Sequence, residues 1–295
     1  MEFNVTRRKY GNSRTTLLAK SKSESTRAST VVLLACCLLL GFTTTSIAAS
    51  SQFSHKSWNV LLKACVVKTT DGYSTAADYD CFAQRRELLD SYLNDLSDFS
   101  EATLLSQPKD VQLALLINAY NAWTVALILN NWPGLESIRD LGSILRSPWK
   151  QSFIPFLGDT VSLDDIEHGM IRAPGRFDDP RIHFAVNCAS IGCPALRQEA
   201  YDGNNIDLQL EEQTQSFLAD PSRNRLQGDE LGVSSIFKWY RDDFEQGWRG
   251  IDSLHHFLSR YGDSLMLTPT QNKALSEGDI DLAFLDYDWR LNDRQ

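Results

Sequence analysis

The chain has 295 residues, 42% of them hydrophobic and 23% charged, with a formal net charge of −9. That is enough apolar sequence to bury a core without metal staples. The first thirty residues carry seven basic side chains against two acidic ones, so the rest stands at −14, which excludes a basic stripe of the kind nucleic acid requires.

The basic start is followed by the uncharged run VVLLACCLLLGF and then by the small residues of TTTSIAAS. Basic, apolar, then small is the layout of a secretory signal, so residues 1–50 are predicted as a leader and 51–295 as one domain. The apolar run is shorter than the ~18–20 residues that span a bilayer comfortably. The expectation is a secreted or periplasmic protein with no stable span once the leader is removed, an uncleaved anchor being the alternative. Of six cysteines, Cys65, Cys81, Cys188 and Cys193 remain after the leader. Export favours disulfides, and the pairing chosen from the three available is Cys65–Cys81 with Cys188–Cys193. The second pair closes a very small loop and has a redox-labile reading as well.

In chain order, residues 55–65 read as a short helix and 81–96 as a longer amphipathic one. Ser100 is placed to cap a short helix. Residues 110–130 form the longest apolar helix, apolar nearly all round and so central rather than superficial. Asn118 and Asn121 interrupt it on one face and must find partners inside. Trp132-Pro133-Gly134 ends it, and Gly158-Asp159 reads as a hairpin turn. Ser162 caps a helix on which Asp164, His168 and Arg172 recur every four residues, either as a surface row or as an oriented imidazole. Residues 182–187 alternate like a strand and break into a loop holding Cys188, Gly192, Cys193 and Pro194. A helix over 205–218, a hairpin over 223–234, a helix capped by Ser234 or Ser235, a helix over 251–261 and a strand over 280–285 complete the chain. His255 and His256 are adjacent, without the i, i+4 spacing of a helical metal pair, and no phosphate loop, dinucleotide motif or zinc helix is present. No cofactor and no metal are expected.

The stretches INAYNAWTVALI, SLDDIEHGMIR, RIHFAVNCASIGCPAL, IFKWYRDDF and YDWRLND follow one another in this order. Together they resemble the domain of unknown function 547 family, in its exported bacterial type, over residues 54–293. The resemblance implies a shared polar site that includes His168, His183, Cys188 and Cys193. It does not require Cys65 or Cys81, so that pair reads as private to this chain.

The fold expected is a single α+β domain. A central buried helix packs on a small mixed or antiparallel sheet, with other helices around it. Asn118/Asn121, Glu167/His168 and His183/Cys188/Cys193 are expected to meet in one pocket. The first functional reading is a binding or scaffold module for a small molecule, peptide or glycan, with Trp149, Trp239, Tyr240, Trp248 and Trp289 as candidate lining. The alternative is a thiol-dependent hydrolase or acyltransferase. There Cys188 is the nucleophile, His168 or His183 the base, and Asn118, Asn121 or Glu167 the orienting or oxyanion group. A second alternative is thiol–disulfide exchange by Cys188 and Cys193. The sequence does not fix the oligomeric state.

Overall fold

A computed structural model describes residues 52–143 and 146–294, so the expected leader lies outside the described residues. Helix α1 (Lys56–Cys65) runs directly into β1 (Val66–Lys68), which pairs antiparallel with β2 (Thr75–Ala77). Asp78 caps α2 (Tyr79–Gln84) by accepting from the Cys81 amide. The expected helix over 81–96 is in fact two. Arg85 leaves helical geometry, at φ −112° and ψ 25°, between α2 and α3 (Arg86–Ser97). The Cys65–Cys81 disulfide, with Cα atoms 5.3 Å apart, ties α2 to the end of α1. Ser100 accepts from the Thr103 amide and starts α4 (Glu101–Ser106), as its sequence position predicts.

Helix α5 (Lys109–Leu129) is buried without a break from Gln112 to Leu129. It is long and apolar enough to cross a membrane, but 94% of its apolar window is covered by the rest of the chain. Its main neighbours are helices, namely α2, α3, the π-helix at Asp165–Ile171 and α6 (Ile206–Leu218), with Ile154, Phe156 and Val161 of a small hairpin in the same cluster. The sheet itself is divided into small pieces. Between α5 and the π-helix, β3 (Ile154–Phe156) and β4 (Asp159–Val161) make a hairpin. Its turn is Leu157-Gly158, one residue earlier than expected, and both residues have positive φ, as a two-residue hairpin turn demands.

After α6, β5 (Arg225–Gln227) pairs antiparallel with β6 (Glu230–Ser234). Tyr240 divides the next helix into α7 (Ile236–Trp239) and α8 (Arg241–Glu245). Then come α9 (Leu254–Arg260), capped by Ser253, and α10 (Pro269–Glu277). Strand β7 (Asp281–Leu285) pairs parallel with β6, giving a mixed three-stranded sheet. The architecture is therefore α+β. The described residues form one compact unit with two hydrophobic clusters, one around α5 and one around Phe237, Phe244 and Phe257.

The strand expected over 182–187 does not form. Pro180–Phe184 is a 3-10 turn whose start is fixed by Pro180 and by Asp179, which accepts from the Arg181 amide. Its alternation has another cause. Ile182, Ala185 and Val186 enter the α5 cluster, whereas Phe184 enters the other, so the turn is the seam between two cores. Side chains replace a strand partner. Asn121 donates to the Ala185 carbonyl at 2.9 Å and accepts from the Asn187 amide at 2.8 Å, while Gln213 donates to the Phe184 carbonyl at 3.3 Å.

Candidate functional site

Ser162 and Asp165 cap each other at the start of the π-helix, Ser162 Oγ accepting from the Asp165 amide while Asp165 Oδ2 accepts from the Ser162 amide and hydroxyl. The wide turn is closed by the Arg172 amide on the Glu167 carbonyl, five residues back, at 2.8 Å. π-Turns recur at functional sites because the extra residue per turn re-aims side chains. This one turns Glu167 inward, to 7% exposure, and leaves His168 half-exposed.

His168 Nδ1 is 2.5 Å from Arg172 Nη1, and its Nε2 is 3.6 Å from Asp164 Oδ1, so the row expected every four residues exists. Arg172 then clasps Asp243 on α8 with Nε and Nη2 at 2.6 and 3.0 Å. The same carboxylate meets His183 Nε2 at 2.7 Å. Tyr240 stacks on the His183 ring at 4.0 Å and lies under the Arg172 guanidinium at 4.6 Å. Burial lowers the His183 pKa and outweighs the opposing pull of Asp243. Burial works against ionisation of Asp243 too, but the hydrogen bonds from His183 and Arg172 prevail and hold its carboxyl well below the usual range. Burial first, then the nearby Glu167 carboxylate, pushes the Tyr120 and Tyr240 phenols far up.

The loop after the 3-10 turn is stapled by Asn187, whose side chain donates to the Pro194 carbonyl at 2.7 Å and accepts from the Ala189 amide at 3.0 Å. Cys188 and Cys193 form a disulfide across it. The C-terminal tail lies over this loop, with the Ile191 and Gly192 amides donating to the Arg290 and Asp288 carbonyls at 2.8 and 2.9 Å. Tyr287 thereby sits with its hydroxyl 3.3 Å from both sulfurs. A side chain at Gly192 would meet the Tyr287 ring at 2.9–3.0 Å, so glycine permits this close approach.

Tyr287 opens a row of rings. Trp289 is 4.5 Å away, and Trp239 is 4.9 Å from Tyr287 and 5.7 Å from Trp289. Trp149 follows, 5.9 Å from Trp289. Trp239 is 41% exposed. Of the five aromatics predicted to line a cleft, Trp149, Trp239 and Trp289 stand together here, and Tyr240 belongs to the histidine cluster. Trp248 packs elsewhere, against Arg181, Arg249 and Phe257.

The predicted site residues separate into two roles. Glu167, His168 and His183 gather around Tyr240 and Asp243. Asn118 and Asn121 hold backbone instead. Asn118 donates to the Tyr201 carbonyl at 2.8 Å and accepts from its amide at 3.0 Å, as Asn121 does for residues 185 and 187. Among the described residues no imidazole is a hydrogen-bond partner of either sulfur, and in the disulfide Cys188 carries no thiol. No group of three or more His, Cys, Asp or Glu residues arranged to hold a metal occurs among the described residues. Sequence reasoning missed Tyr120, Asp243 and Tyr287, although each lies inside a quoted motif and contributes an aromatic hydroxyl or carboxylate. His255 and His256 lie apart from the site, on the Ile280 carbonyl and on Asp252.

Two surface hollows border these elements. One, of about 70 Å³, is lined by Phe156, Arg176 and Met170 of the π-helix, and the other, of about 440 Å³, by Trp132, Leu135 and by Arg290 of the tail that carries Trp289. None of the curated proteins and none of the solved structures matches the chain. Residues 104–218, which carry α5, the π-helix and the disulfide loop but neither Asp243 nor Tyr287, match the family model described as "Protein of unknown function, DUF547", a shorter span than the sequence motifs led one to expect.

Proposed function

We propose that the protein is a binding module for neutral or amino-sugar glycans, with the aromatic row as its platform. The observation that carries the reading is the set Trp149–Trp289–Trp239–Tyr287, mutually packed, with Trp239 turned to solvent. Tryptophan and tyrosine offer large, rigid, amphipathic contact area at small entropic cost. The C–H face of a sugar ring covers such a surface, and its hydroxyls then reach polar groups at the rim. Here those include Arg139, over Trp289.

One further point favours a glycan over a peptide. A peptide held by strand addition needs free backbone hydrogen-bonding groups. Beneath the rings the carbonyls of Asp288 and Arg290 already accept from residues 192 and 191, and the Leu291 amide donates to Glu136. The acidic body, and the Glu167 carboxylate facing Tyr287, disfavour an acidic sugar. Two disulfides in the folded chain fit an exported protein, and we infer a secreted or periplasmic location on that ground.

A tryptophan-fluorescence titration against neutral, amino and acidic oligosaccharides and against short peptides tests the reading. Saturable change with the first two classes, absent in Trp239→Ala, is the expected result. Response to peptides alone would assign the platform to a protein partner instead.

A further inference from the structure

We propose that the Cys188–Cys193 disulfide is an exchange site for low-molecular-weight thiols, attacked at Cys188 with Cys193 as the leaving sulfur. The two sulfurs sit in unlike surroundings. Cys188 is partly exposed, whereas Cys193 is 1% exposed. Cys193 Sγ is the acceptor for the Cys188 amide at 3.0 Å, the Ser190 amide at 3.4 Å and the Tyr287 hydroxyl at 3.3 Å. A bonded disulfide sulfur is a weak acceptor. The two amides aimed at this atom, with the Tyr287 hydroxyl shared at 3.3 Å with Cys188 Sγ, are better matched to the anion it becomes when the bond opens.

The backbone holds this arrangement under strain. Ala189, buried and not glycine, sits at φ +60°, in the left-handed region that costs an alanine roughly 1–2 kcal/mol. That conformation turns the amides on either side of it toward the same point, the geometry of an anion-binding nest. The Ser190 hydroxyl, 1% exposed, has no hydrogen-bond partner among the described residues and leaves one more donor in the loop once a charge forms. Burial disfavours a thiolate at Cys193, and the charged groups facing Tyr287 oppose each other, Glu167 being repulsive and Arg223 attractive to an anion. The local donors therefore decide the balance.

In the first step a reagent thiolate attacks Cys188 Sγ. A new sulfur–sulfur bond forms there, the Cys188–Cys193 bond breaks, and its electron pair departs on Cys193 as thiolate. A second reagent thiolate attacks the mixed disulfide, so that the reagent leaves as its own disulfide, oxidised by two electrons, and both cysteines are left reduced. Stabilising the leaving sulfur speeds the first step. The inference does not rest on the glycan reading, and exchange is expected to proceed with no oligosaccharide present.

The test treats the full-length wild-type protein briefly with glutathione, traps free thiols by acid quench and alkylation, and locates the glutathione by tandem mass spectrometry. The expected product carries glutathione on Cys188 and the alkyl group on Cys193, in at least tenfold excess over the reverse. Equal or reversed labelling overturns the proposal, as does opening no faster than that of Cys65–Cys81. A Tyr287→Phe protein is expected to open several-fold more slowly; an unchanged or faster rate would remove the donor role assigned to the phenol.

Discussion

His183 Nε2 lies 2.7 Å from Asp243 Oδ2, and Arg172 clasps the same carboxylate with two nitrogens. One acid from α8 thus ties the π-helix to the 3-10 turn. Asp243→Asn removes the charge while keeping the shape. The Asp243 and Arg172 side chains are about one-fifth exposed, so part of the cost of breaking a buried pair is screened. A loss of about 2–3 kcal/mol in urea unfolding is expected. A loss below the ~0.5 kcal/mol of an ordinary surface change would show the contact to be incidental.

Acid should weaken the fold in a defined window. Burial lowers the His55 pKa from 6.5 to about 4, against the pull of Asp202, and lowers His183 in the same sense. Across that interval the unfolded chain binds more protons than the folded one, so stability rises with pH. These contributions are complete above the unfolded value and disappear as pH falls through the folded one. Asp243 adds to the slope only below the usual carboxylate range, where its depressed pKa is finally crossed. Melting temperature should therefore fall steadily between pH 6.5 and about 4, and His55→Gln should flatten part of that fall. A flat wild-type profile would mean that neither imidazole is kept neutral by burial.

Asn121 bridges the Ala185 carbonyl and the Asn187 amide, replacing a strand partner for the seam between the cores. Asn121→Ala leaves two buried backbone groups unpaired, at a cost of about 2–4 kcal/mol. Asn121→Asp keeps the acceptor and loses the donor, and should also destabilise. Denaturant unfolding of the two variants checks this, and an alanine variant as stable as wild type would contradict the clamp.

The Cys65–Cys81 disulfide spans 16 residues. Chain-entropy arguments put a loop of that size at about 3 kcal/mol. Replacing both cysteines with alanine should lower the melting temperature accordingly, with the aromatic row undisturbed in near-ultraviolet circular dichroism.

These tests also mark what the sequence makes legible. Helix α5 announced itself by a long segment apolar nearly all round, and α4 by its capping serine. The 182–187 segment misled because two cores on opposite sides of one turn produce the alternation of a strand. Helix α10 offers little apolar surface beyond Leu275, so periodicity passed over it, although Thr268, Pro269 and Gln271 spell out its cap. At the site, histidines and cysteines drew notice through their chemistry. Tyr240, Asp243 and Tyr287 form the links between them, and such links exist only after distant segments meet.

The platform reading is most directly tested by calorimetric titration of wild type and Trp239→Ala with the oligosaccharide that gives the best fluorescence response. The account predicts saturable binding by wild type and a loss of at least tenfold, about 1.4 kcal/mol, in the variant. Equal affinity in the two proteins, or no wild-type binding to any oligosaccharide in the panel, would contradict it.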